Sequence, residues 1–422
     1  MNNAFFFKEN KNPTKQTYTF VDVSDLYSPE KGYGFVTEKN RRTQDILQIP
    51  EITSGFIPVN MDTDRPIPTI FRADVEKQGN YLVEIEADND GTQGLIFLER
   101  RRLYYIGEFE GTKKFSFYVN VCDFIPRDHK EVFEDRSLDF AWIGEGLRIQ
   151  NILIKEAECT TVYIAGDSTV TDQPADYPYS PGTSYSGWGQ MLPAFIKDVA
   201  VSNHSHSGLS TETFRNEGHY SIVEKNIKPG DFIMFQFGHN DQKLPHLKED
   251  TGYRANLKRF VAEMKEKGAY PIIVTSLARN TWFNNGESYN DLLEAYANEC
   301  IRLGKELNIP VVDLHQLSME LIKKNGLVES KKFFHPGDLT HTNDYGAYIM
   351  AGFVAKELAR VCKEAGKEYE NIPNLLKKDV PEWEIVPELL VLPTLKNEEK
   401  TEEEPYQLVM DRLEEIIRGK NK

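Results

Sequence analysis

Four polar segments follow one another along this chain and together hold the groups that acyl transfer needs: Gly166-Asp167-Ser168-Thr169, Ser207-Gly208, Gly238-His239-Asn240-Asp241 and Asp338-Leu339-Thr340-His341. A serine hydroxyl is a weak nucleophile until a neighbouring base takes its proton. The Asp338-to-His341 spacing lets the carboxylate reach one imidazole nitrogen and fix the tautomer, leaving the other nitrogen to accept the proton of Ser168. Gly208 has no side chain to keep its backbone N–H from a ligand. Asn240 could donate its side-chain amide to the same developing oxyanion. Taken singly, each segment has a plainer reading. Gly-Asp-Ser fits a helix N-cap, Asp-Leu-Thr-His fits a capped helix start with an incidental histidine, and Gly208 and Asn240 fit ordinary turns. Jointly they fill every role of a serine-based acyl transfer.

Elements to position these groups are visible on either side of them. The first three segments each follow a short apolar run, Val162–Ala165, Val199–Val201 and Phe232–Phe237. Their polar groups would therefore sit on loops at the carboxyl ends of strands, where open α/β sheets place their sites. Beyond Glu158, such runs, continuing with Ile272–Val274 and Ile309–Val312, alternate with helical stretches such as Tyr253–Glu266 and Tyr289–Leu307. That alternation predicts a parallel sheet covered on both faces. Upstream the period is two: Tyr81–Ala87, Lys114–Val121 and Leu147–Ile154 read as strands, with turn clusters at Asn89-Asp90-Gly91 and Gly144-Glu145-Gly146. An antiparallel β-sandwich is expected there. The expected domains are a sandwich over 1–158, an α/β catalytic domain over 159–365, and a tail over 366–422. Spaced prolines and dense charge make the start of the tail extended. Its end, Tyr406 to Ile417, reads as an amphipathic helix that should dock on its own chain. The alternative is a homo-oligomer contact through this helix or through the N-terminal domain.

Composition narrows the function classes. A net charge of -16 repels phosphate backbones. The densest basic cluster, Arg100-Arg101-Arg102, is surrounded by Glu99, Glu108 and Glu110, so no nucleic-acid partner is expected. Cys122, Cys159, Cys300 and Cys362 are scattered without Cys-x-x-Cys spacing. His204, His206 and His335 belong to no His-Glu-x-x-His pattern, so neither a metal nor any other cofactor is expected. No apolar run reaches membrane-spanning length, and the chain opens without a basic-then-apolar leader. No membrane partner and a cytoplasmic location are therefore expected.

The four segments resemble the consensus blocks of the SGNH, or GDSL-type, hydrolases. The longer wording, Gly166-Asp167-Ser168-Thr169-Val170, Gly187-Trp188-Gly189-Gln190, Phe237-Gly238-His239-Asn240-Asp241-Gln242-Lys243 and Thr340-His341-Thr342-Asn343, is similar to the rhamnogalacturonan acetylesterase-like group. The resemblance spans about residues 160 to 362. It implies a flavodoxin-like three-layer α/β/α domain and metal-independent removal of O-acetyl groups from pectin or rhamnogalacturonan-type poly- or oligosaccharides. In the roles it implies, Ser168 is the nucleophile, His341 the base and Asp338 its orienter. The oxyanion hole is formed by the Ser168 and Gly208 amides with the Asn240 side chain. Trp188, His239, Asp241, Gln242 and Arg279 are candidates for the walls of the substrate pocket. Thr169 replaces the leucine of the broader family wording, a usage shared by the subgroup. The N-terminal region resembles galactose-binding-like modules. Two rival readings stand beside this one: a lipase or thioesterase acting on longer acyl chains, and a catalytically silent glycan-binding protein.

Overall fold

Among the described residues, alternating apolar positions fold the first part of the chain into eight strands: β1 (Asn3–Phe6), β2 (Thr19–Phe20), β3 (Tyr33–Phe35), β4 (Thr69–Asp74), β5 (Gly79–Leu98), β6 (Arg102–Val121), β7 (Ser137–Ile143) and β8 (Arg148–Glu156). The structure is a computed structural model, and it describes residues 3–7, 18–37 except 23, 68–365 except 128 and 176–178, then 369, 375, 377 and 406–417. Most of the tail expected to be extended lies outside the described residues. The eight strands form one sheet in the order β2-β1-β8-β5-β7-β4-β3, with β6 alongside β5. Every pairing is antiparallel except that of β1 with β2.

This sheet folds over on itself. β1 and β4 are separated in it by β8, β5 and β7, yet the rings of Phe5 and Phe71 meet edge to face at 5.1 Å. Phe7 likewise meets Trp142 of β7 at 6.3 Å. The sequence pattern predicts an antiparallel sandwich, and the structure meets this in part: the halves of the region pack on each other, but within one continuous sheet. The long β5–β6 hairpin makes this so: the first part of β5 pairs with β8 and its last part with β7. Asn89-Asp90-Gly91, expected as a turn, is instead an irregularity inside β5, where the register shifts between Asp90 and Gln93. Such bulges bend a strand without ending it.

Period two explains how the sheet meets the rest of the chain. On β7, Leu138, Phe140 and Trp142 face the sheet's own interior, whereas Ala141 and Ile143 belong to a second core. That core also holds Leu95, Phe97 and Leu103 together with Val162, Trp188 and Tyr348. The two expected domains thus share this second core, while the N-terminal sheet keeps an interior of its own.

The later strands are β9 (Thr161–Gly166), β10 (Ala200–Asn203), β11 (Phe232–Gln236), β12 (Tyr270–Val274), β13 (Trp282–Phe283), β14 (Ser288–Tyr289) and β15 (Val311–Val312). Five of them form a fully parallel sheet in the order β10-β9-β11-β12-β15. Counted within the sheet this is the doubly wound order 2-1-3-4-5, whose switch point lies between β9 and β11. The helices are α1 (Trp188–Met191), α2 (Thr211–Asn216), α3 (His219–Asn226), α4 (Arg254–Glu266), α5 (Glu294–Leu307), α6 (Leu314–Glu329), α7 (Asp344–Glu364) and α8 (Tyr406–Ile417). The helix expected from Tyr289 starts only at Glu294, because Ser288 and Tyr289 pair with Phe283 and Trp282. α8 docks on its own chain. The Tyr406 hydroxyl donates to the Trp282 carbonyl at 3.1 Å, Met410 is buried, and the helix lies beside the Asp241–Lys243 turn.

The basic triplet at the β5–β6 turn is internal. Glu99 and Arg101 adopt left-handed backbone, with φ of 55° and 57°, a conformation that costs a non-glycine residue on the order of 1–3 kcal/mol. It drives Arg101, with no exposed surface, into the second half of the chain. There its Nη1 meets Asp344 Oδ2 at 2.6 Å, its Nε donates to the Gln173 carbonyl at 3.0 Å, and its Nη2 donates to the Tyr185 carbonyl at 2.7 Å. Arg102 donates to Asp172 Oδ2 at 3.0 Å and to the Val201 carbonyl at 2.9 Å. Replacing Arg101 with Met strands the Asp344 carboxylate, so urea denaturation should show a loss of about 3–5 kcal/mol. Adding Asp344→Asn should restore part of it.

Candidate active site

Close packing under Ser168 begins at the end of β9. A Cβ on Gly166 would lie 2.7 Å from Val170 Cγ2 and 2.8 Å from the Gln236 carbonyl, so the turn there requires glycine. The next residue, Asp167, is completely buried. Its Oδ1 accepts from the Thr169 N–H at 2.9 Å and the Thr169 hydroxyl at 2.8 Å, and its Oδ2 faces His239 Nδ1 at 3.2 Å. Burial alone would raise this carboxyl, but His239 and the Thr169 donors outweigh it and hold it below its usual range. No helix begins at Ser168, where residues 168–175 form a turn and loop. The helix-cap reading therefore fails, and the serine is left on a pinned turn.

Ser168 Oγ lies 2.8 Å from His341 Nε2, and His341 Nδ1 lies 2.8 Å from Asp338 Oδ2. With Nδ1–H donating to the carboxylate, Nε2 presents its lone pair to the Ser168 hydroxyl. Asp338 Oδ1 accepts from the backbone N–H groups of Thr340 and His341 at 2.7 and 2.9 Å. Burial pushes this carboxyl up, but the donors from His341 and Thr340 prevail and hold it at about 2. Here too the helix reading fails, since α7 begins only at Asp344, capped by the Asn343 side chain. Tyr185 stands edge-on to the His341 ring at 5.9 Å and stacks on His335 at 3.7 Å.

The groups expected as oxyanion donors lie on neighbouring loops. Gly166 on β9 pairs with Gln236 on β11, so the loops carrying Ser168 and Asn240 leave the sheet side by side at the switch point. Gly208 follows β10 in left-handed backbone, φ 85°. Among the described residues, neither its N–H nor that of Ser168 is given to a backbone acceptor. Asn240 Nδ2 donates to the Leu209 carbonyl at 2.9 Å and has a second hydrogen to give, while its Oδ1 accepts from Lys243 Nζ at 2.8 Å.

Most of the residues expected as pocket walls lie beneath the site. Trp188 is fully buried with Nε1 on Gln236 Oε1 at 2.7 Å. His239 is held between Asp167 and the Leu277 carbonyl, the latter at 2.9 Å. Asp241 is buried and accepts from the Thr211 N–H and hydroxyl at 2.9 and 2.6 Å. Arg279 is 2% exposed. These four brace the loops from within, and only Gln242 is half-buried. A residue without a motif joins the site as well. Gln173 Nε2 donates to the Ser168 carbonyl at 3.1 Å, and its Oε1 accepts from Arg127 of the N-terminal half at 3.2 Å. A separate cavity of about 640 Å³, lined by Trp282, Tyr289, Asp291 and His315, includes none of Ser168, Asp338 and His341.

Residues 164–349 match the model of the GDSL-like lipase/acylhydrolase family. Rhamnogalacturonan acetylesterase RhgT of Bacillus subtilis (strain 168) is 37% identical over 209 residues, which cover 46% of this chain and 88% of that protein. The chain belongs to the GDSL-like lipase/acylhydrolase family. A probable rhamnogalacturonan acetylesterase of the same organism, YesY, is 32% identical over 207 residues, covering 46% of this chain and 90% of the relative. An uncharacterized esterase, YxiM, also from that organism, is 26% identical over 352 residues, or 81% of this chain and 87% of its own. That last match extends well beyond the parallel sheet. As a member of this family the chain is a carboxylic ester hydrolase.

Asp338 offers two linked tests. Asp338→Asn removes the charge that steadies an imidazolium at His341, so ester turnover should fall by orders of magnitude with the fold retained. Because this carboxyl sits at about 2 against an ordinary 3.8, its ionised form stabilises the fold above about pH 4, and that stability is lost as the pH falls toward 2. Melting temperature against pH should show this component in the parent and lack it in the variant.

Proposed function

We propose that this protein is a serine carbohydrate esterase that removes O-acetyl groups from pectic, rhamnogalacturonan-type poly- or oligosaccharides through an acyl-enzyme. The observation that carries the chemistry is the unbroken relay from Ser168 Oγ through His341 to Asp338, with 2.8 Å at each link. His341 Nε2 takes the hydroxyl proton as Oγ attacks the acetyl carbonyl carbon. The resulting oxyanion is received by the N–H groups of Ser168 and Gly208 and by the free N–H of Asn240. His341 then gives its proton to the departing sugar oxygen, the C–O bond breaks, and the acetyl group remains on Ser168. A water molecule, deprotonated by His341, attacks this ester, and acetate leaves as Ser168 regains its proton. Asp338 stays ionised throughout and balances the imidazolium.

A relative named as a rhamnogalacturonan acetylesterase and one named as a probable one, each matched over most of its own length, support the substrate class. A relay of this kind serves longer acyl chains equally well, so chain length has to be measured. Ser168→Ala should cut hydrolysis of acetyl nitrophenyl ester by orders of magnitude without unfolding the chain. Asn240→Ala should cost roughly 10²–10³ in rate. Among acetylated pectin, xylan and short oligosaccharides, acetate release should be fastest from the pectic members. Faster turnover of an octanoyl than an acetyl ester would replace this reading with that of a lipase or thioesterase.

A further inference from the structure

Two cations under the site have no carboxylate partner among the described residues. Arg279 follows β12 at its carboxyl end and is 2% exposed. Its Nη1 donates to the Thr340 hydroxyl, its Nη2 donates to the His239 carbonyl at 3.4 Å, and its Nε has no acceptor. Lys243 is half-buried, and its Nζ donates to Asn240 Oδ1 at 2.8 Å. A cation held out of water without a carboxylate partner is unfavourable, so such groups persist where their bonds serve a function.

Their bonds point to one function. Asn240 Oδ1 faces an ammonium, which can only donate, and its Nδ2 faces the Leu209 carbonyl, which can only accept. This fixes which end of the carboxamide is which and keeps the second N–H on one side. Arg279 joins Thr340, one residue before His341, to His239, one residue before Asn240. It therefore ties the loop of the base to the loop of the oxyanion donor.

We propose that Lys243 and Arg279 are positioning residues for ester hydrolysis: Lys243 locks the Asn240 carboxamide for the oxyanion, and Arg279 holds the His341 and Asn240 loops in register. The proposal rests on the acyl-enzyme reading given above. The charged and titratable groups facing these two are Asp167 from the loop after β9, Asp338 from the loop before α7 and Tyr289 from β14; Arg279 also faces Lys243, and His239 from the loop after β11 faces Arg279. Burial, reinforced by Arg279, lowers the Lys243 ammonium from the usual lysine range. As the pH rises, the charge behind Asn240 is lost earlier than for an exposed lysine.

The test uses the full chain and acetyl nitrophenyl ester, a neutral probe with no sugar carboxylate, with rates corrected for spontaneous hydrolysis. Lys243→Met and Arg279→Met should each lower kcat by about tenfold or more while changing KM by less than about twofold. Lys243→Arg should recover part of kcat and move the alkaline limb of the kcat profile to higher pH, whereas Lys243→Met should abolish that limb. Arg279→Lys should recover less, because an ammonium lacks the fork that spans both acceptors. Melting curves identify any variant that fails to fold. The half-buried Lys243 keeps the test open if Arg279→Met does not fold. The proposal is overturned if kcat stays within about twofold in both methionine variants, or if only melting temperature changes and the pH profile does not move. It is also overturned if activity falls only on uronate-containing substrates, because the cations would then serve a substrate carboxylate. Loss of activity in Ser168→Ala without these effects rejects this inference and leaves the acyl-enzyme reading intact.

Discussion

Arg101 crosses from the hairpin of the N-terminal sheet into the second half of the chain with no exposed surface, and the loops of the site are arranged around it. Its bond to Asp344 fixes the start of α7, directly after the His341 loop, and its bond to the Gln173 carbonyl fixes a residue whose side chain holds the Ser168 carbonyl. A buried ion pair seldom adds net stability over a well-packed apolar replacement, but it tolerates no loss of one partner. It therefore acts as a geometric constraint. The left-handed residues on either side of the turn show that the backbone is bent to deliver this side chain.

The same constraint changes the meaning of the N-terminal sheet. Its β7 strand is buried on both faces, once against its own doubled-over partner and once against the parallel sheet. Arg127 and the Pro126 carbonyl reach Gln173 and His206 from the same side. The sheet thus supplies part of the support beneath the relay, beyond any separate task of its own. The parallel sheet supplies the rest: its switch point brings the β9 and β11 loops together, and buried Asp167 joins them through His239.

Much of the candidate site was legible because its signals are local. Asp338 and His341 are close in sequence, and the strand-loop positions of Ser168 and Asn240 follow from short apolar runs. The strand order could not be read that way, but alternating strands and helices already implied a parallel sheet. The arginine triplet was illegible for a physical reason. Arg101 and Asp344 are 243 residues apart, and a basic cluster beside Glu99 has the composition of a solvated turn. The pocket-wall expectations for Trp188, His239, Asp241 and Arg279 rested on nearness to the motifs, which says nothing about which side of a loop faces solvent. Gln173 carried no motif, and the bulge at Gly91 used the same residues as a turn.

The central claim is that Ser168 carries the acyl group between the two half-reactions, and rapid acid quench of the protein with an acetyl ester, followed by peptide mass spectrometry, tests it most directly. The acetyl group should be found on Ser168 and should disappear in Ser168→Ala. An acetyl group on a different residue during turnover, or a burst of alcohol release with Ser168 unmodified, would contradict the account.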